Sequence, residues 1–309
     1  MKRVVSVSIG DSKRDHYVET EIMGEKFIIE RIGTDGSIQK AIELIEKMDG
    51  KVDAIGMGGI SLYLWAGNRP YTIRAALPIK RAAKITPVVD GVGLKNTLER
   101  RIIAYLHNNN IVNFTKKKVL VTSGLDRFGM AESLDHHGAD IILGDLIFAI
   151  GVNVPINSLK GLYRIAAVAA PIACMLPFHM IYPTGDKQNK NNGSKFAKYY
   201  NNAEIIAGDF HYVKKFMPAD MRNKIIITNT VTAEDVDQLR DSGLELLVTT
   251  TPEFNGRSFG TNVMEGVVIS LLKMSGKGNT PAEYDEILDK LDLKPRIEYL
   301  NKAGVAVQC

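Results

Sequence analysis

Five short apolar runs rich in β-branched residues recur between residues 119 and 251: Val119-LVTS, Asp140-IILGD, Glu204-IIAGD, Lys224-IIITN and Glu245-LLVTT. Each is followed by a segment of helical character, and this alternation limits the fold more tightly than anything else in the chain. Strands that are apolar throughout are buried on both faces, and strands separated by helices run parallel, because a parallel pair needs a crossover. The runs therefore predict an α/β domain with a doubly wound parallel sheet. Right-handed crossovers would gather the loops that follow the strands on one edge.

The first third reads as a smaller α/β domain. VVSVSIG predicts a strand, HYVETEIM and EKFIIERI a hairpin around Gly24, and Ser37-IQKAIELIEKM an amphipathic helix. Strands VDAIG and TPVVD follow, then the helix Leu94-KNTLERRIIAYL. Apolar spacing of three and four supports the helices, and short β-branched runs support the strands. The polar stretch HNNNIVNFTKKK suggests a boundary, giving expected domains of 1–113 and 114–279. An apolar insert would occupy 151–200, and a charged helical tail 280–309. At 309 residues, two domains is also the natural expectation from size.

Composition excludes several classes. Hydrophobic content of 45% and charged content of 24% belong to a globular chain. A net charge of +4, from 39 basic and 35 acidic residues interspersed along the chain, gives no footprint for nucleic acid. Cys174 and Cys309 provide neither a disulfide framework nor metal-ligand spacing, so no metal is expected and a reducing cytoplasm fits. The start MKRVVSVSIGDSKRD turns polar within ten residues, unlike a secretory signal. Ile165 to Tyr182 holds no acidic or basic side chain except His179, but Pro171 and Pro177 interrupt it, so no membrane span is expected. A buried or homodimer-forming helix is the plain reading, and a greasy substrate pocket or membrane-surface contact the alternative.

In TSGLDRFGMAESL, Gly124 and Gly129 follow the first strand of the larger domain as G-x-x-x-x-G, a partial match to the G-x-G-x-x-G of dinucleotide folds. Ser123, Gly124, Arg127 and Gly129 would hold a diphosphate on backbone amides at a helix start. Asp145 ends the next strand about twenty residues on, where an acid accepts the ribose 2′-hydroxyl, so NAD is favoured over NADP. Asp126 lies inside this loop and opposes an anion unless Arg127 offsets it, and a plain connection remains the alternative. The spacing thus points to a Rossmann-like domain.

Other clusters have two readings each. Gly56, Gly58 and Gly59 permit close approach of a ligand or of another backbone, and Asp11, Lys13, Arg14 and His16 form a solvated turn or a charged site. In VDGVGLKNTLER, Asp90 ends a strand and Lys95 opens a helix; as a pair they could manage the proton of a hydroxyl being oxidised, or Lys95 could be an exposed first-turn residue. The loop TTTPEFNGRSFGTN offers Arg257, Thr261 and Asn262 to a substrate anion, or is a solvated loop with a good cap. Thr232 before Glu234 and Asp235 reads as a helix cap, and His211 as a lone acid or base. No H-E-x-x-H, C-x-x-C pair, G-x-S-x-G or Walker lysine is present.

The phrases KFIIERIGTDG, DAIGMGGISLYLWAGNR, DGVGLKNTLERR, DRFGMAESL, AGDFHYVKKFMP and TTTPEFNGRSFGTNVMEG span nearly the whole chain. In them the sequence resembles a group of bacterial proteins, common among anaerobic Firmicutes, that carry the label quinate 5-dehydrogenase. That resemblance implies similarity to the shikimate and quinate dehydrogenases: a substrate domain, a dinucleotide domain, and a lysine–aspartate pair that would be Lys95 and Asp90. The family's N-terminal serine pair has only Ser12 as a counterpart here, and its N-V-T-x-P-x-K motif is replaced by GLKNT. The expected activity is an NAD-dependent hydride transfer at a hydroxyl or keto group of a small acid. Alternatives are a non-redox transferase or lyase acting on a phosphorylated or hydrophobic small molecule, and a non-catalytic nucleotide-binding protein.

Overall fold

A computed structural model describes residues 1–66, 69–177, 195–251, 253–254, 257–258, 260–274, 281–291 and 293–301. The chain divides into two compact units. One comprises Met1–Thr97, Ala166–Gln188 and Phe259–Leu293, the other Leu98–Ile165, Asn189–Ser258 and Lys294–Cys309. The expected boundaries at 113 and 279 are corrected: the chain leaves the first unit inside a helix and returns to it twice. Sequence spacing does not reveal such returns, because they are made by side chains far apart in the chain.

The first unit opens with β1 (Lys2–Ser8), whose Val4, Val5 and Val7 are buried. The hairpin of β2 (His16–Ile22) and β3 (Glu25–Gly33) turns on Met23 and Gly24, both with positive φ, the pair that a two-residue hairpin requires. Helix α1 (Ile38–Met48) is capped by the Ser37 side chain and buries Ala41, Ile45 and Met48, one face of a 3.6-residue period. Then come β4 (Ala54–Gly58), a small hairpin of β5 (Tyr63–Ala66) and β6 (Arg69–Thr72), helix α2 (Leu77–Arg81), β7 (Val88–Val89) and helix α3 (Val92–Asn108). The sheet order is β2-β3-β1-β4-β7, parallel except for β2. The charged turn after β1 is largely structural: Asp11 caps the single turn Ser12–Arg14, Asp15 pairs with Arg31 at 2.9 Å, and Asp35 accepts from the Ser12 amide.

All five predicted strands of the second unit are present: β8 (Lys118–Val121), β9 (Asp140–Leu143), β10 (Ile205–Gly208), β11 (Ile225–Thr228) and β12 (Leu246–Thr249). They pair in parallel in the order β12-β11-β10-β8-β9, so the direction of winding reverses between β8 and β10. The connecting helices are α4 (Phe128–His136), α5 (Leu159–Ala173), α6 (Ala197–Asn202), α7 (Phe210–Phe216) and α8 (Ala233–Asp241). An aromatic group of Phe148, Phe196, Tyr200 and Phe216 fills the core beside β8 and β10. Thr232 is the expected cap: it accepts from the Asp235 amide while Asp235 accepts from its own, a reciprocal box. Thr232→Ala should lower the unfolding free energy by about 1 kcal/mol, read from urea denaturation.

Helix α5 runs through Pro171 to Ala173, correcting the expectation that this proline interrupts it. It buries Leu162, Ala166 and Ala170 and exposes Val168 and Ile172, and just past its end Cys174 is buried and Met175 exposed. Residues 178–182 of the apolar segment, His179 among them, lie outside the described residues. Among the described residues no helix is long and apolar enough to cross a membrane.

After a short hairpin of β13 (Glu253–Phe254) and β14 (Arg257–Ser258), helices α9 (Thr261–Met274) and α10 (Pro281–Leu291) belong to the first unit. Strand β15 (Arg296–Tyr299) then adds to β12 antiparallel. The expected helical tail is thus corrected: its first part is helical, and RIEY instead covers a sheet edge.

Candidate functional site

In the second unit, the Thr122–Arg127 connection and the end of β9 meet around one carboxylate. Asp145 accepts the Gly124 amide on Oδ2 and the Leu125 amide on Oδ1, both at 2.9 Å. A methyl placed on Gly124 would lie 3.1 Å from Asp145 Oδ2, so the glycine is what lets the acid come this close. Burial pushes the Asp145 carboxyl up to about 6, against these two hydrogen bonds. The expectation that the Gly124 amide faces a diphosphate is corrected, since that amide orients the acid. Gly129 is buried in the first turn of α4, and the helix has no side-chain cap.

Arg127 was expected to hold the cofactor, and this too is corrected. The residue is 3% exposed, and its guanidinium donates to Glu99 Oε1 at 2.5 Å and to Asp209 Oδ2 at 2.7 Å. Its Nε lies 3.2 Å from Asp126, off the hydrogen-bond direction. Burial works against the charge, but the three carboxylates hold Arg127 protonated. Asp209 likewise stays well below the usual carboxylate range despite burial, because Arg127 and His211 face it. Asp209 also caps α7 through the His211 amide and accepts from Asn229 at 3.0 Å. Burial, then Asp126, Asp209 and Asp145, raise the Tyr212 hydroxyl. Three carboxylates (Glu99, Asp126 and Asp209) thus stand around one guanidinium. The hydroxyls of Thr122 and Ser123, in this connection, are buried and make no hydrogen bond among the described residues.

Sequence reasoning missed Glu99, Asp209, Tyr212 and Asn229 as members of this group. One signal was present: β9 and β10 both end in Gly-Asp, at Gly144–Asp145 and Gly208–Asp209. A glycine before an acid beyond the two strands that flank β8 lets both carboxylates approach the connection that follows β8.

In the first unit, Asp90 accepts the Leu62 amide at 2.5 Å and the Val92 amide at 3.1 Å. Lys95 is 5% exposed, which overturns the reading of an exposed first-turn lysine. Glu265 of α9, unnoticed in the sequence, accepts the Gly91 amide at 2.6 Å and the Tyr284 hydroxyl at 2.8 Å. Burial, and then the charge of Asp90, push Glu265 up to about 7, against hydrogen bonds from Tyr284, Gly91 and Leu94. Its signal was a lone acid in the apolar run TNVMEGVVISLL.

The expected substrate contacts at Thr261 and Asn262 are corrected to packing. Asn262 donates to Ser6 Oγ at 2.7 Å, and methyls placed on Gly56 and Gly91 would lie 2.9 and 2.5 Å from atoms of Asn262. Gly56 therefore serves close helix–strand packing. Arg257 pairs by its backbone with Phe254, and its side chain, like Asn255, lies outside the described atoms.

Two units, each built on a largely parallel sheet flanked by helices, define an α/β protein with a Rossmann-like second sheet. The chain belongs to the family described as Domain of unknown function (DUF8754), whose model matches residues 93–300. A second model, Domain of unknown function (DUF8753), matches residues 3–90. No curated protein matches the sequence. Among solved structures, a galactofuranose binding protein is similar at 13% identity and a TM-score of 0.38, covering 94% of this chain and 99% of that one. A glucose-galactose binding protein from Geobacillus stearothermophilus is similar at 11% identity and 0.38, covering 98% and 99%. The hetero-hexameric glutamate dehydrogenase from Thermus thermophilus is similar at 10% identity and 0.45, covering 94% of this chain and 72% of that one.

Proposed function

We propose that the protein is an NAD-dependent oxidoreductase whose second unit holds the adenosine ribose on Asp145. The observation that carries this reading is the carboxylate at the end of β9, fixed by one amide on each oxygen. Each oxygen keeps a further acceptor position, and two such positions suit the paired hydroxyls of a ribose. A 2′-phosphate would be repelled, which favours NAD over NADP. Lys95 and Asp90 manage the proton of a hydroxyl or keto group on a small acid, while nicotinamide supplies the hydride chemistry. The resemblance to shikimate and quinate dehydrogenases supports this class of substrate. As to the group it would bind, the Asp145 corner fits the ribose, and the buried hydroxyls of Thr122 and Ser123 offer further polar contacts.

Three carboxylates around Arg127, with Asp145 close to one of them, Asp126, favour a second reading. Excess negative charge opposes a diphosphate and suits a neutral or cationic nucleoside cofactor, in a non-redox transferase or lyase. Thermal-shift measurement with NADH, NADPH, adenosine and S-adenosylmethionine separates the two. Stabilisation by NADH above NADPH supports the oxidoreductase; selective stabilisation by S-adenosylmethionine supports the second reading. The oxidoreductase reading also predicts a pH dependence. Asp145 is ionised above about 6, so NADH affinity should hold at pH 7–8 and weaken as pH falls through that value. A flat affinity from pH 5 to 8 in calorimetric titrations contradicts the assignment.

A further inference from the structure

The buried acid Glu265 takes no part in the function proposed above, yet it is the point where three segments of the first unit meet. From α9 its carboxylate reaches the start of α3, accepting the Gly91 amide, and α10 delivers the Tyr284 hydroxyl to its other oxygen. Gly93 covers it. A methyl on that residue would lie 2.5 Å from Glu265 Oε1 and 3.3 Å from the Tyr284 hydroxyl, and the glycine is itself exposed. The acid is therefore fully buried but lies only one glycine below the surface. The titratable groups facing it are Asp90 from the strand end and Tyr284 from α10. Lys95 lies on the same first turn of α3. Beneath α9, the strand atoms nearest to Gly266 are those of Val4 and Ala54.

We propose that Glu265 is a proton-operated clamp on the turn Asp90–Lys95, closed when its carboxyl is neutral and loosened when it is ionised. A neutral carboxyl keeps the Gly91 and Tyr284 bonds: its carbonyl oxygen accepts the Gly91 amide and its hydroxyl donates to the Tyr284 oxygen, which then acts as acceptor. The ionised form accepts from both but places a second buried charge beside Asp90, and desolvation makes that costly. Opening the turn lets water reach the acid.

The sign follows from linkage. Glu265 is raised in the folded chain, to about 7 from an ordinary 4.5, so the folded state holds the proton more tightly. Its stabilisation is complete below 4.5 and is lost progressively as pH rises from there through about 7. Any consequence for chemistry at Lys95 rests on the oxidoreductase reading; the clamp itself does not.

The test is hydrogen exchange at the amides of Gly91, Val92 and Leu94 between pH 4.5 and 8.5, corrected for the intrinsic rate and free of cofactor or substrate. Protection should fall by up to about tenfold per pH unit from 4.5, the limit for one linked proton, and level off above about 7. Glu265→Gln, which donates to Tyr284 and accepts from Gly91, should abolish that slope. Tyr284→Phe removes a hydrogen bond that lowers the acid's pKa, so it should move the levelling-off to higher pH. Wild-type protection that stays flat between pH 4.5 and 7, a wild-type slope retained in Glu265→Gln, or a levelling-off unmoved in Tyr284→Phe each overturns the clamp. Failure of NAD to bind would leave these results untouched.

Discussion

Replacing Arg127 with methionine should destabilise the protein by about 3–5 kcal/mol, the range for breaking a buried ion pair by removing one partner. The residue is 3% exposed, and Glu99 on its far side is fully buried. Methionine fills similar volume but takes away the guanidinium that donates to both Glu99 and Asp209. Arg127→Lys should recover only part of the loss, because one ammonium cannot reproduce the fork that donates to both acids. Removal of Arg127 raises the two acids, so they take protons more readily and the deficit should shrink as pH falls. Urea denaturation at pH 7.5 and pH 5.5 reads both effects. A loss below about 1 kcal/mol at pH 7.5 would mean that the carboxylates are hydrated and the cluster is not a buried one.

Gly91→Ala should be nearly as damaging, at about 2–5 kcal/mol. Its φ of +88° costs an L-residue about 1–2 kcal/mol. The added methyl would also lie 2.5 Å from the Asn262 backbone nitrogen and 2.8 Å from Thr261 Oγ1. Backbone cannot swing aside as a side chain can, so overpacking adds about 1–3 kcal/mol. The same residue gives its amide to Glu265, so displacement of the turn would also unpair a buried carboxylate. Thermal unfolding should show a fall of several degrees, whereas an unchanged midpoint would mean that α9 does not bear on this turn.

The strands were legible because their signal is local. Runs such as Ile225–Thr228 are buried on both faces, and nothing but a central parallel strand satisfies them. Strand β15 was not legible, since Arg296, Glu298 and Tyr299 read as a charged tail until they are set against the edge of β12. Nor was the return of α9 to the first unit. Its apolar residues announce a buried helix, but not which sheet it covers.

The site shows the same division. Asp145 at a strand end and glycine at the preceding turn could be read from spacing. The partner that each N–H and guanidinium finds depends on loops meeting in space, which is why Gly124 and Arg127 were assigned to a ligand and turned out to serve Asp145, Glu99 and Asp209. Glu265 joins residues 174 positions apart in its bond to Gly91, and no sequence window spans that distance.

The ribose assignment to Asp145 is tested most directly by calorimetric titration of NAD into wild-type protein and Asp145→Asn at pH 7.5, with nicotinamide mononucleotide as a ligand lacking adenosine. Loss of hydrogen bonds to a charged acceptor should weaken NAD about 10- to 100-fold, with nicotinamide mononucleotide unaffected. Equal NAD affinity in the two proteins, or no NAD binding to the wild type, would contradict the account.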